Sequence, residues 1–187
     1  MEKESGWLTV ADGSTVIYSR RLIYRRWREE DAEALFLCAR DPEVAYPSGW
    51  LPHRDTAYSR AVIRTVFMKR GSMAIVERDG DGAPIGSISL EPGPNAARHI
   101  GESEAEIGYW IGKDNWNKGY ATEALDMMCR YALEERGMRR LWCAYHDGNE
   151  RSRHVMEKCG FVYDHTDGDS YNPMLEKHLR VHFMTRR

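Results

Sequence analysis

The sequence Ala105-Glu106-Ile107-Gly108-Tyr109-Trp110-Ile111-Gly112 decides the fold of this chain, together with the polar turn and helix that follow it. Residues 104–111 predict a strand, and Lys118-Gly119-Tyr120-Ala121-Thr122-Glu123-Ala124 predicts the start of a helix. A strand that leads directly into a helix N-terminus leaves several backbone N–H groups aimed at one point, where the helix dipole adds partial positive charge. Gly119 has no Cβ, so an anion can approach the backbone closely. The segment therefore suits a cofactor that carries a pyrophosphate.

Two other phosphate-binding motifs are absent from the sequence. No Gly-x-x-x-x-Gly-Lys-Ser/Thr occurs, which disfavours a nucleotide-hydrolysing loop. No Gly-x-Gly-x-x-Gly follows a strand near the N-terminus, which disfavours a dinucleotide fold. An ordinary strand–helix connection, with its glycine as a turn residue, stays open as the plain alternative.

Three separated segments resemble the GCN5-related N-acetyltransferase (GNAT) superfamily. The runs Glu106-Ile107-Gly108-Tyr109-Trp110 and Trp116-Asn117-Lys118-Gly119-Tyr120-Ala121-Thr122-Glu123-Ala124 are similar to its acyl-CoA-binding motif. The likeness is greatest to the ribosomal-protein alanine/serine N-acetyltransferase (RimJ/RimL-like) branch. Residues 21–32 resemble the family's opening strand and helix, and residues 149–152 and 156–161 resemble its second cofactor segment.

The resemblance implies an α/β fold with a single GNAT-type domain over residues 20–187, preceded by an accessory N-terminal hairpin over residues 1–19. We expect a mixed, mostly antiparallel sheet with helices on both faces and a splayed cofactor strand. The local patterns give the element order ββ-αα-βββ-α-β-α-ββ. They also predict a hairpin turn at Asp12-Gly13, a helix over 118–136, a structured early loop over 41–53 and a late loop that holds Tyr171.

Composition describes one domain of 187 residues with 42% hydrophobic residues and a net charge of −2. This charge does not support a nucleic-acid-binding surface, which usually needs a clear positive excess. No apolar run approaches the ~20 residues that span a bilayer, and the polar N-terminus does not resemble a signal peptide. The four cysteines form no Cys-x-x-Cys pair, so we expect no metal site, core thiols and a cytoplasmic location.

The resemblance implies that acetyl-CoA binds as a co-substrate along the signature strand, the turn and the later helix. The backbone N–H of Tyr109, Trp110 or Ile111 can polarise the thioester carbonyl. The residues expected to bind the cofactor are Tyr109, Trp110, Ile111, Trp116, Asn117, Lys118, Gly119, Tyr120, Ala121, Thr122, Asn149 and Ser152.

Glu106 is the candidate general base for deprotonating an amine. Period two places it on one strand face with Glu104, Gly108 and Trp110. Partial desolvation there raises the pKa of a carboxyl group, which suits a base. A solvated or ion-paired Glu106 stays open as the alternative, with Glu104 and Glu102 as substitutes.

The departing thiolate also needs a proton or a hydrogen bond. Many relatives supply a tyrosine at the position that Met156 occupies here, and methionine cannot donate. The resemblance suggests Ser152 instead, with Asn149 as a helix cap that also contacts pantetheine. A serine with no catalytic duty stays open as well.

The expected acceptor is a primary amine, either a ribosomal-protein N-terminus or a small molecule. Trp50, His53 and Tyr171 fall where the family builds its acceptor cleft. We expect direct acetyl transfer with no nucleic-acid or membrane partner, and a homodimer stays open. The alternative is a non-catalytic acyl-CoA-binding or sensing module, which the missing tyrosine favours.

Overall fold

A computed structural model describes residues 5–11, 13–96 and 100–187 of the chain. Within this part of the chain, nine strands form one sheet in the order β1-β2-β3-β4-β5-β6-β7-β9-β8. Neighbouring strands are antiparallel except β6 and β7, which are parallel. This arrangement confirms the predicted mixed, mostly antiparallel sheet. The strands are β1 Gly6–Thr9, β2 Thr15–Tyr18, β3 Leu22–Arg26, β4 Met73–Glu77, β5 Pro84–Pro92, β6 Glu104–Ile111, β7 Arg140–His146, β8 Val162–Asn172 and β9 Lys177–Arg186.

Helices cover both faces of the sheet, as the resemblance implied. Strand alternation sends Leu22 and Tyr24 into one core with α5 and α6. Trp27 and Ala74 lie in a second core with α1 and the π-helical turn Ile63–Phe67 that follows α3. Burial of these two apolar faces in separate layers stabilises the sheet between them. The α-helices are α1 Ala32–Ala39, α2 Pro42–Ala45, α3 Thr56–Val62, α4 Met68–Arg70, α5 Tyr120–Arg130 and α6 Glu150–Lys158.

The signature strand has the predicted bounds, whereas the helix after it starts later than predicted. Gly119 lies just before α5 with φ 79°, and Asn117 has φ 61°. Left-handed backbone cannot continue a right-handed helix, so the predicted start at Lys118 is wrong and α5 begins at Tyr120. The helix then continues as a π-helical turn over Tyr131–Glu135, and Gly137 follows with φ 65°.

The predicted N-terminal hairpin is present as β1 and β2, and β2 pairs directly with β3. The hairpin therefore forms one edge of the main sheet, while the proposed division at residue 19 remains a prediction. Asp12 of the predicted turn lies outside the described residues.

The predicted late loop around Tyr171 is wrong. Strand β8 extends to Asn172 and pairs with β9, because a tight turn joins Asn172 to Lys177. Asn172 Oδ1 accepts the backbone N–H groups of Met174 and Leu175 and closes that turn. The sequence around Asp164 to Asp169 is polar because β8 is an exposed edge strand.

Strands β6 and β7 pair over only part of their length. Their register runs from Glu104↔Arg140 to Glu106↔Trp142 and stops, although β6 continues to Ile111 and β7 to His146. On its other side β6 stays paired with β5 as far as Ile111. The two strands therefore diverge beyond Glu106 and leave a gap, which is the predicted splay.

Candidate active site

A cleft of about 640 Å³ lies where β6, the start of α5 and α6 meet. A volume of this order suits a cofactor or drug-sized ligand. Its wall includes Tyr109 and Trp110, whose side chains point to opposite faces of β6. Because residues from both faces line it, the cleft extends through the gap between the diverging strands. The lining residues are Glu43, Val44, Pro47, Ser48, Tyr109, Trp110, Ile111, Asn115, Trp116, Asn117, Gly119, Ala121, Thr122, Asn149, Arg151, Ser152, His154, Val155 and Lys158.

Backbone groups of odd-numbered β6 residues face this gap. The Ile107 carbonyl accepts from Cys143 Sγ on β7 at 3.2 Å, whereas the Gly112 N–H donates to the Ile85 carbonyl of β5 at 2.8 Å. Because N–H and C=O of one strand residue point to the same side, the Tyr109 and Ile111 amides face the gap and the Trp110 amide faces β5. Of the three predicted amides, Tyr109 and Ile111 therefore have the direction that polarising a carbonyl requires.

The turn between β6 and α5 is built from left-handed residues and one indole. Trp116 Nε1 donates to the Ile111 carbonyl at 2.7 Å and fixes the turn against the end of β6. The Arg151 guanidinium lies 4.3 Å from the Trp116 ring and connects α6 to the same turn. The positive φ of Gly119 is required by this geometry, whereas the sequence suggested only that space for an anion was needed.

Arg21, which directly precedes β3, contacts the turn before α5. Its Nη1 donates to the Lys118 carbonyl at 2.9 Å, and its Nε pairs with Glu123 Oε2 at 2.7 Å. Ser19 Oγ and the Arg21 backbone N–H both donate to Glu123 Oε1 at 2.7 Å, and these bonds help to lower the pKa of the Glu123 carboxyl. Through these contacts Arg21 clamps the turn to the start of α5.

Two predicted cofactor residues direct their side chains away from the cleft. Tyr120 Oη donates to Glu77 Oε2 at 3.0 Å, and its ring lies under the Arg21 guanidinium. Lys118 Nζ donates to Asn115 Oδ1 at 3.0 Å. Only the backbone of these two residues remains available for the predicted role.

The first turn of α6 forms the opposite wall of the cleft. Asn149 caps the helix, since its Oδ1 accepts the Ser152 N–H at 3.3 Å, and its amide donates to the Pro47 carbonyl at 3.4 Å. Ser152 faces the cleft beside Tyr109. Met156 is only 1% exposed and packs in the core, so its position on α6 does not face the cleft.

Three basic side chains of the cleft were missed by sequence reasoning. Arg151, His154 and Lys158 project from α6 into the lining, where the Arg151 guanidinium and the Lys158 ammonium would add positive charge beside a bound polyanion. Their spacing of three and four residues from one another is the helical signal that indicates a shared face.

Glu106 is half-buried, and its side chain projects from the face of β6 opposite Tyr109. Its Oε2 atom is buried from solvent. The substitute Glu104 is engaged elsewhere, because its Oε2 accepts from Trp142 Nε1 at 2.7 Å and its Oε1 lies 3.9 Å from Arg140 Nη1. Glu102 is exposed in the turn before β6. Of these carboxylates, Glu106 is the one at the point where β6 and β7 separate.

The predicted acceptor residues divide into two groups. Trp50 and His53 lie together, with ring centroids 5.4 Å apart, and Trp50 meets Trp110 of β6 at 6.0 Å. His53 is 8% exposed and contacts Ser59 Oγ through Nδ1 at 2.8 Å, and burial lowers the pKa of its imidazole to about 4. Tyr171 is not with them: it is 58% exposed on β8 and packs against His178.

The chain contains no spanning helix or metal cluster in its described part. Over residues 5–11, 13–96 and 100–187, no helix is long and apolar enough to cross a membrane. The same residues contain no group of three or more His, Cys, Asp or Glu side chains placed to hold a metal. Cys129, Cys143 and Cys159 are buried and free, and Cys38 is free and half-buried.

Comparison with known proteins gives a family match and several relatives. The family model described as the acetyltransferase (GNAT) domain matches residues 21–162. The uncharacterized N-acetyltransferase YoaA of Bacillus subtilis (strain 168) is 29% identical over 150 residues, which are 78% of this chain and 82% of YoaA. YdaF of the same organism, for which a ribosomal N-acetyltransferase function has been proposed, is 40% identical over 82 residues, which are 44% of this chain and 42% of YdaF.

A solved structure shows the same fold. The microcin C7 self-immunity acetyltransferase MccE, in complex with acetyl-CoA and AMP, has a TM-score of 0.72 at 16% identity. The match covers 89% of this chain and 92% of that one. Relatives and fold both agree with the resemblance that the motifs predicted.

Proposed function

The chain belongs to the acetyltransferase (GNAT) domain family, and from this membership we propose that it transfers an acetyl group directly from acetyl-CoA to a primary amine. The single observation that carries the proposal is the cleft at the β6–β7 gap, which opens to both faces of β6. A donor on the α5–α6 side and an acceptor on the Trp50 side would meet at this gap. MccE, whose structure contains acetyl-CoA, supports the choice of donor.

The residues present fit acetyl-CoA as a substrate. The left-handed turn before α5 and the basic α6 side chains suit the pyrophosphate and the other phosphates. The Tyr109 and Ile111 amides, aimed into the gap, suit the thioester carbonyl and the charge that develops on its oxygen. Correct orientation of two reactants in such a cleft supplies much of the rate acceleration that direct transfer needs.

Glu106 accepts the proton of the attacking amine in this proposal. It lies at the last paired position before β6 and β7 separate, on the Trp50 and Trp110 side of the strand. A water between carboxylate and amine allows the transfer without direct contact. The acceptor must arrive as a neutral amine, which is easier for a peptide α-amine with pKa near ~8 than for an alkyl amine near ~10.4.

The acceptor class is a peptide N-terminus or a small amine. The name given to YdaF favours a ribosomal-protein N-terminus. A panel of peptides that start with alanine or serine, set against polyamines and amino acid analogues, distinguishes these acceptors through kcat/KM.

Two measurements test the proposal together. Isothermal titration with CoA measures donor binding, and release of free thiol from acetyl-CoA in the presence of the amine panel measures transfer. We expect CoA to bind and thiol to appear only with an accepted amine. Binding without turnover for any amine would instead identify the sensing module, and no binding would refute the site assignment.

A further inference from the structure

A buried phenol reaches Ser152 from across the cleft. Tyr109 Oη lies 3.0 Å from Ser152 Oγ and 3.1 Å from the Ser152 carbonyl oxygen. The two residues belong to different walls, one to β6 and one to the first turn of α6. The contact therefore bridges the region where β6 no longer pairs with β7.

The Tyr109 hydroxyl remains protonated over the working range of pH. Burial raises the pKa of this phenol far above its usual value, while the Ser152 hydrogen bond opposes the shift only in part. A phenol with a raised pKa is a poor proton source at neutral pH but a constant hydrogen-bond donor. Its function toward Ser152 is therefore orientation.

We propose that Tyr109 is a positioning residue, whose hydroxyl donates to Ser152 Oγ and so directs the Ser152 hydroxyl proton toward the thioester sulfur. The inference rests on the proposed function. It gives Tyr109 on β6 a role near the sulfur, whereas Met156 on α6, where many relatives have a tyrosine, is buried in the core. In the free enzyme the Tyr109 hydroxyl has two possible acceptors, the Oγ and the carbonyl oxygen of Ser152. When the Ser152 hydroxyl donates to a bound sulfur, its Oγ becomes the better acceptor for the Tyr109 proton, because hydrogen bonds in a chain strengthen one another.

The electron and proton balance of the step is closed. The amine nitrogen forms the new bond to the acetyl carbon, and the carbon–sulfur bond breaks with its electron pair on sulfur. The amine proton leaves on the Glu106 side through water. The Ser152 hydroxyl donates a hydrogen bond to the thiolate without losing its proton. Solvent later protonates the thiolate to give free CoA thiol, and Glu106 returns the amine proton to solvent.

A spectroscopic titration tests the contact without requiring turnover. The ultraviolet absorbance of the CoA thiolate, followed against pH with protein in excess, gives the pKa of the bound thiol. Loss of one hydrogen bond to a charged sulfur should raise that pKa by about one unit. We expect this shift in both Tyr109→Phe and Ser152→Ala, and no shift in Tyr145→Phe. Tyr145 is a buried tyrosine of β7 whose hydroxyl has no hydrogen-bond partner among the described residues.

Kinetics distinguish positioning from a merely structural role. Tyr109→Phe should lower kcat by about tenfold and leave KM for acetyl-CoA within about twofold. The reason is that the hydrogen bond from Ser152 to sulfur gains strength only as negative charge develops on sulfur in the transition state. The double variant Tyr109→Phe/Ser152→Ala should be no slower than Ser152→Ala alone, because the two act as one unit.

Three outcomes would overturn the inference while leaving the proposed function intact. They are a wild-type kcat in Tyr109→Phe, multiplicative losses in the double variant, or an unchanged thiol pKa in both single variants. If Tyr109→Phe does not fold, Tyr109→Met removes the same hydroxyl with a more flexible apolar side chain, and the same titration is made on it. If wild-type protein binds CoA but transfers nothing, the titration alone decides; if it binds no CoA, both proposals fall.

Discussion

At the scale of the residue, the site depends on side chains whose partners lie far away in the sequence. Arg21 contacts Glu123 and Lys118, about a hundred positions along the chain. Ser152 contacts Tyr109, 43 positions before it in the chain. Each contact places a group of the cleft, so single substitutions should change binding or rate separately from stability.

Arg21→Lys should raise KM for acetyl-CoA by about tenfold with little change in kcat. Lysine keeps the charge but cannot bind Glu123 and the Lys118 carbonyl together, because it lacks the planar fork of the guanidinium. Steady-state kinetics with varied acetyl-CoA measures this effect. Arg20→Lys is the matched control, since Arg20 is exposed and has no ion pair among the described residues. Equal KM values in the two variants would contradict the clamp.

Glu106→Gln should lower kcat by about 10²-fold or more if the chemical step limits the rate. Glutamine keeps the shape of the half-buried side chain and removes its basicity. The measurement is kcat across pH 6–9, and Glu102→Gln in the exposed turn is the control. Wild-type rates across this range would exclude Glu106 as the base.

At the scale of the element, the connection from β6 to α5 determines where the helix begins. A right-handed helix cannot include the left-handed Gly119. The free backbone N–H groups at the N-terminus of α5 therefore point along the helix axis only from Tyr120 onward. The π-helical turns over Ile63–Phe67 and Tyr131–Glu135 show a similar local deviation within longer helices. Of the Gly119 turn and these two π-helical turns, the Gly119 turn is the one that adjoins the cleft.

Gly119→Val should weaken CoA binding at least tenfold. A β-branched residue at φ 79° is strained by about 1–3 kcal/mol, and the turn must move to relieve it. Calorimetric titration gives the Kd. Gly137→Val is the control: it carries similar strain at φ 65°, has open space around it, and follows the far end of the same helix. A Kd that is unchanged in Gly119→Val with the fold intact would sink the assignment.

At the scale of the whole molecule, two cores on opposite sides of one sheet hold the site in place. His53 is a buried titratable group in the second layer, joined to α3 through Ser59. Because its environment favours the neutral imidazole, the stability of the whole fold is linked to its protonation.

The free energy of unfolding should decrease as the pH falls from about 6.5 to about 4. The folded pKa of His53 is depressed to about 4, so the unfolded chain binds the proton first and acid favours unfolding. The contribution is fully present above pH ~6.5, and one proton changes stability by up to about 1.4 kcal/mol per pH unit. Urea titrations at several pH values give the free energy of unfolding as a function of pH. This free energy should change less steeply with pH in His53→Gln, which keeps a hydrogen-bonding group near Ser59. An equal slope in both proteins would contradict the linkage.

The amino-acid sequence was sufficient to predict the class of the fold, the family and the strand and helix that border the candidate site. Local patterns were sufficient for β6 and for the helical character of α5, because period two and period 3.6 are written into adjacent residues. The glycine at the helix start and the Asn149 cap were also readable, since each acts within a few residues of the chain.

Contacts between groups that are distant in the chain were known only from the folded structure. It placed Tyr109 on Ser152, Arg21 on the turn before α5, and Met156 in the core, and it showed that β8 continues past Tyr171. The physical reason is that these contacts join residues about 40 to 100 positions apart, whose distance depends on sheet order and on where β6 and β7 stop pairing. Neither quantity is encoded in a local repeat. The sequence therefore predicts the strands and helices of the site, whereas the packing between them determines which side chains meet there.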